Sequence, residues 1–306
     1  MPLTAGLSRF GKLFVLGFAV CTAADGAHFI TEMTQDALSH YKAYVARSIV
    51  GTGAAANQAE AQWSSGHCSN GPQSSSERPV ICDLNPSLTD GGQKLLNGAI
   101  HHWIGAIELS NVSSVELQNI LQNYAKFGKI FGPEIACACG TNLQPEGSGV
   151  FDNHVTMALY RQVIGFHFAF KVQSTSRFVY DPGSTTLIVS TASEDIRESV
   201  SGISLGDLMD KGRDHGILWQ INTYWRAVPR GANLYVQYEV ISLSRDPPWF
   251  AKGFVGKEAR NAVQQALIQI KAAAEGKGAS REQAPISCDG ARTFAANECS
   301  SEATKK

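Results

Sequence analysis

The sequence predicts an α+β fold in which a curved antiparallel sheet is closed by a long C-terminal helix. Two aromatic-rich segments of alternating polarity lie late in the chain, at 215–226 and 233–246, joined across Pro229, Arg230, Gly231 and Ala232. After Pro247 and Pro248, residues 249–275 set Phe250, Phe254, Ala259, Val263, Ala266, Ile270 and Ala273 along one stripe of a helix. Upstream, strand-like segments follow one another across short turns, which makes an antiparallel meander the natural topology, with helices gathered at its two ends.

Taken in order, the first predicted element is a helix over 31–48, with Met33, Ala37, Tyr41, Tyr44, Val45 and Ile49 on one apolar side. Residues 51–92 are rich in Gly, Ala, Ser, Asn and Gln and read as a linker or disulfide-tied loop. A strand is expected over 99–109. Asn111 or Ser113 then caps a helix over 115–131, with Leu117, Ile120, Leu121, Tyr124 and Phe127 inward and Pro133 at its end. Strands are expected at 134–143, 150–163, 166–180 and 185–194, before the final pair. The organisation is thus a signal (1–24), an N-terminal helix with linker (25–94), a main domain (95–275) and a disordered tail (276–306).

A chain of 306 residues that is 43% hydrophobic can bury one large core or two small ones. Its 26 basic and 27 acidic residues give a net charge of -1, without the electrostatic footprint of a nucleic-acid partner. Arg9 and Lys12 precede an apolar run from Leu13 to Ala24, in the order of an export signal cut near Ala24. A lipid anchor at Cys21 and an uncleaved N-terminal anchor are the alternatives. Export to the periplasm or outside the cell suits the remaining six cysteines, of which Cys68 with Cys82 and Cys288 with Cys299 are the sequence-local disulfide pairings. Cys137 and Cys139, two apart on a predicted strand, share a face and read as buried thiols.

Pairing Val228 with Asn233 in the last hairpin sets Trp225 opposite Val236, Thr223 opposite Tyr238 and Ile221 opposite Val240. One face is then apolar, and the other carries Asn222, Tyr224, Gln237 and Glu239. A sheet and helix built this way enclose an apolar space. Its candidate ligand-binding residues are Trp103, Ile217, Trp219, Ile221, Tyr224, Trp225, Arg226, Val236, Tyr238 and Glu239. Glu239 and Arg226 either form a polar pair at the sheet mouth or a solvent-facing ladder pair. His101 and His102 are adjacent on a strand and face opposite sides, so they do not chelate one metal together. No cofactor or metal is expected, and the sequence lacks the Gly-x-Ser-x-Gly, His-Glu-x-x-His and phosphate-loop patterns.

The segments 102–105 (HWIG), 214–219 (DHGILW), 224–226 (YWR) and 239–246 (EVISLSRD) resemble those of exported bacterial proteins of the START-like (SRPBCC) superfamily. The resemblance spans about 95–275 and implies a helix-grip fold, with the curved sheet wrapped around the C-terminal helix. It further implies a carrier for a lipid or other hydrophobic small molecule, with contact to a membrane surface open. The alternatives are a cyclase- or aromatase-like enzyme on the same fold and a partner-binding protein with a filled core.

Overall fold

The Thr34 side chain accepts the Ala37 N–H at 3.1 Å and starts helix α1 (Gln35–Val45). In this computed structural model the described residues are 33–51, 67–69, 78–84, 98–142, 149–163, 166–210, 213–246 and 252–277. The expected signal, Cys288, Cys299 and the tail beyond 277 lie outside them. Two short strands follow α1, β1 (His67–Ser69) and β2 (Val80–Asp83), and then β3 (Gly98–Ser110). Ser113, one of the two expected caps, starts α2 (Ser114–Gln122) with a reciprocal capping box to Glu116. The helix expected over 115–131 is broken at Asn123, which leaves helical geometry at ψ 66°. A 3-10 turn (Tyr124–Lys126) and the short α3 (Phe127–Ile130) complete the segment.

Six strands come next: β4 (Ile135–Asn142), β5 (Val150–Val163), β6 (Phe166–Asp181), β7 (Thr186–Glu198), β8 (Gln220–Arg230) and β9 (Asn233–Arg245). Helix α4 (Lys252–Ala274) closes the chain. All nine strands of the described residues form one curved antiparallel sheet in the order β1-β2-β3-β9-β8-β7-β6-β5-β4. An open sheet of this kind with a long C-terminal helix matches the helix-grip arrangement.

The last hairpin differs from expectation by two residues. Its turn is only Gly231–Ala232, and β8 runs on through Pro229 and Arg230, so that Trp225 faces Tyr238 and Thr223 faces Val240. Gly231 takes φ +61° at the first turn position, the requirement of a tight hairpin turn whose twist matches that of its strands. A shift of two keeps every side chain on its expected face. The first half of the segment expected as a strand, His215 to Trp219, is instead loop, bent at Gly216 (φ +68°).

Two cores result. On the inner face, Val263, Leu267 and Ile270 of α4 pack with Ile81, Trp103 and Ile107, while α2 and α3 add Leu117, Leu121 and Phe127. Gly105 permits the closest approach: a Cβ there would lie 2.6 Å from both Ile81 Cδ1 and Leu267 Cδ1. Gln269 Nε2 donates to Gly132 O at 3.1 Å and ties α4 to the end of the α2–α3 segment. On the outer face, Ala37 and Tyr41 of α1, together with Val50, pack on Ile100, Ile104, Tyr224, Ile241 and Leu243.

The N-terminal helix therefore belongs to the same body as the main sheet, and β2 pairs with β3, so a boundary at residue 95 cuts through hydrogen-bonded strands. Val80, Ile81 and Cys82, expected in a linker with little core, are buried. Double coverage also explains why the middle of β3, from His102 to Ile107, is buried at every position rather than at alternate ones. Cys137 and Cys139, expected to be buried thiols, are half-buried on β4, and of the two only Cys137 is a thiol, since Cys139 is in a disulfide.

Candidate ligand cavity

The strand alternation that faces residues toward α4 also builds a cavity of about 300 Å³ between the sheet and the helices. Its floor is laid down in cross-strand rows. One row is aromatic and apolar, running Phe178, Val189, Trp225, Tyr238 from β6 to β9 and ending at Gly105 of β3. Trp225 and Tyr238 stack there with centroids 3.9 Å apart. The next row carries hydroxyls, Ser176, Thr191 and Thr223, before Val240 and Trp103. Beyond it stand Ser174, Ser193, Ile221, Ser242 and His101. Leu121, Tyr124, Phe127 and Phe131 form one wall, and Ala259, Ala262, Val263 and Ala266 of α4 another.

Several of these hydroxyls are already engaged. Ser176 and Thr191 bond to each other at 2.8 Å, and Ser193 accepts the Ile221 N–H at 2.9 Å. His101 Nε2 lies 2.9 Å from Ser244 Oγ, whose own proton goes to Arg245 O at 2.9 Å. The serine is therefore an acceptor from this histidine, the reverse of what an activated nucleophile needs. Burial pushes the His101 pKa down against the nearby charges of Asp83 and Asp246, which keeps the ring neutral at pH 7.

Three groups in the cavity wall keep hydrogen-bonding capacity unused. Arg161 of β5 reaches the space beside Glu134, Tyr238 and Glu258. Burial lowers its pKa, and the charges of those neighbours oppose the change. Glu134 Oε2 and Trp103 Nε1 are shielded from solvent and have no hydrogen-bond partner. Tyr238 is pushed up to about 12 by burial, with Arg161 opposing, so it presents a neutral phenol. The site thus offers a guanidinium, a carboxylate oxygen and an indole N–H within otherwise apolar walls. Among the described residues no group of three or more His, Cys, Asp and Glu is placed to hold a metal ion.

Of the residues expected to bind a ligand, Trp103, Ile217, Ile221, Trp225 and Tyr238 line this cavity. Val236 is on the same face but packs into the inner core. Trp219, Tyr224, Arg226 and Glu239 do not reach the cavity. Trp219 and Tyr224 belong to the outer core, and Arg226 and Glu239 are buried on the outer face. Glu239 and Arg226 form neither expected pair: Glu239 stands opposite Tyr224, and Arg226 opposite Gln237. Sequence reasoning missed Arg161, Glu134 and the β5–β7 floor. The signal for the floor was present, since Val155, Met157 and Leu159 alternate along β5 and Phe170, Val172 and Phe178 along β6.

Neither a family model nor a curated protein matches the chain. Solved structures similar to it include a STAR-related lipid transfer protein from Xanthomonas axonopodis, at 12% identity and TM-score 0.44, covering 68% of this chain and 97% of that one. Human STARD10 is similar at 8% identity and TM-score 0.42, covering 81% and 84%. The Zhui aromatase/cyclase from Streptomyces sp. R1128 is similar at 15% identity and TM-score 0.34, covering 59% and 97%.

Proposed function

We propose that this START-like chain is an exported carrier that holds a lipid or other hydrophobic small molecule between its sheet and α4. The observation that carries the reading is the cavity of about 300 Å³, with mainly apolar walls, hydroxyls along part of its floor, and Arg161, Glu134 Oε2 and Trp103 Nε1 without full partners. A volume of this size is at the lower end of small-molecule sites, and a few polar groups in apolar walls are what fixes a ligand's orientation there. A molecule with one polar end and an apolar body satisfies both parts, with its polar end at Arg161.

Thr223 gives the sharpest test, because it sits in the middle of the floor and its hydroxyl is not engaged within the sheet. Thr223→Phe fills the space without removing a hydrogen bond. Delipidated wild-type protein should bind an apolar fluorescent probe with a Kd on the order of micromolar, about -8 kcal/mol. The variant should bind at least tenfold more weakly while melting within a few degrees of wild type. Equal probe binding by both proteins would place the probe elsewhere and remove the carrier reading.

Export rests on the apolar run from Leu13 to Ala24 and on the register of β1 and β2, which sets Cys68 directly opposite Cys82. Directly opposed positions on neighbouring strands bring Cβ atoms within reach of a disulfide. Peptide mapping of the exported protein without reductant should recover Cys68 linked to Cys82, on a chain beginning near Asp25. Recovery of both as alkylated thiols on an unprocessed chain would contradict export. Contact with a membrane surface is supported by the β7–β8 connection, where Val200 and Ile203 are exposed and Ile217, 38% exposed, also lines the cavity.

A further inference from the structure

The outer face holds polar groups that the ligand cavity does not use. Arg226 of β8 and Gln237 of β9 are direct cross-strand partners. Gln237 is fully buried, and Arg226 keeps 9% of its surface. Nε and Nη1 of Arg226 and both Nε2 and Oε1 of Gln237 are shielded from solvent, and none has a hydrogen-bond partner. Buried polar groups in folded proteins are nearly always paired, and an unpaired buried cation is the most costly exception.

Among the described residues the surroundings supply no partner. Across the strands the pair is flanked by Ala106 on one side and Ile188 on the other. Glu239, two residues along β9, has both oxygens engaged, Oε1 by His102 Nε2 at 2.7 Å and Ile49 N–H at 3.0 Å, and Oε2 by Ser48 at 2.7 Å and Val50 N–H at 2.8 Å. Burial lowers the Arg226 pKa, and no neighbouring anion offsets it. What is present is a fixed positive charge beside an amide that can both donate and accept.

We propose that Arg226 and Gln237 form a second binding site, on the outer face, for a phosphate group. The guanidinium and the Gln237 amide N–H donate to phosphate oxygens, as planar Arg donors do to oxyanions generally. Gln237 Oε1 accepts from the O–H that a phosphate retains near pH 7. Sulfate has the same shape and no proton to give, so the amide selects between them. The ligand enters from the side on which Arg226 keeps its exposure.

The full-length protein is titrated with inorganic phosphate at constant ionic strength, followed by calorimetry, with sulfate and chloride as controls. Saturable binding of phosphate, at least tenfold tighter than sulfate, is expected. Gln237→Leu should bring phosphate down to the sulfate level, and Arg226→Met should abolish both. Arg161→Gln, in the cavity, should leave phosphate binding unchanged. The absence of saturable phosphate binding to the wild type overturns the proposal without recourse to any variant. So does full retention of binding by Gln237→Leu, which removes only a neutral side chain and is the variant to use if Arg226→Met does not fold. Probe binding in the cavity is measured on the same samples, so loss of the phosphate site and loss of the carrier reading register separately.

Discussion

Leu267→Asp should lower the midpoint of thermal unfolding by about 8–20 °C relative to wild type. Leu267 is fully buried in the inner core, where its Cδ1 rests over Gly105 of β3 beside Ile81. The substitution removes a buried leucine, worth about 1.5–3 kcal/mol of apolar burial, and puts a carboxylate where no partner exists. The sum, about 4–5 kcal/mol, belongs to the largest class of single-residue effects and is a large fraction of the stability of an ordinary domain. At about 2–4 °C per kcal/mol for a domain of this size, the shift is about 8–20 °C. A melt within a degree or two of wild type would show that α4 does not cover the core.

Glu239→Ala should cost nearly as much, about 3–5 kcal/mol, through the opposite face of the same sheet. Glu239 is fully buried, and its carboxylate joins His102 to three groups of the N-terminal segment, Ser48 and the backbone of Ile49 and Val50. Removal leaves the Ser48 hydroxyl and the Val50 N–H shielded and without the acceptor they use. Hydrogen exchange should therefore rise first at Ile49 and Val50, before the sheet itself opens. Burial opposes ionisation of Glu239, but the hydrogen bond and charge of His102 and the bonds from Ser48 and Val50 outweigh it, so its carboxyl titrates below the ordinary value. A carboxylate with a depressed pKa stabilises fully above its unfolded value, and the contribution is lost as pH falls through the folded one. Glu239→Gln should flatten that acid limb of stability against pH. Unchanged exchange at residues 49 and 50, or an unchanged acid limb, would mean that the carboxylate does not hold the N-terminal segment.

These two substitutions mark where the fold was legible in the sequence and where it was not. Periodicity along one element was enough to find β5, which runs over 150–163 as expected, and to place Ile221 and Trp225 on the cavity side. The hairpin turn was read as four residues and is two, yet the faces survived because side chains alternate with a period of two. Polarity was a poorer guide. Gln237, Glu239 and Arg226 were taken for one polar face at a sheet mouth or in solvent, whereas a segment 189 residues away in the chain covers Glu239. No local pattern reveals such a contact. The apolar side of α1, Ala37 and Tyr41, was the one hint that some sheet face had to receive it. On β6 and β7 polarity gives no pointer to the site either, since Ser174, Ser176, Thr191 and Ser193 are polar and form the cavity floor.

Native mass spectrometry of the protein purified without delipidation tests the carrier claim most directly. The account predicts an adduct from a noncovalently bound apolar molecule, lost on delipidation and absent from Thr223→Phe, whose phenyl ring occupies the space between Thr191 and Val240. A single ligand-free mass, together with no probe uptake by the delipidated protein, would contradict it and leave a sheet and helix whose interior serves only to hold the fold.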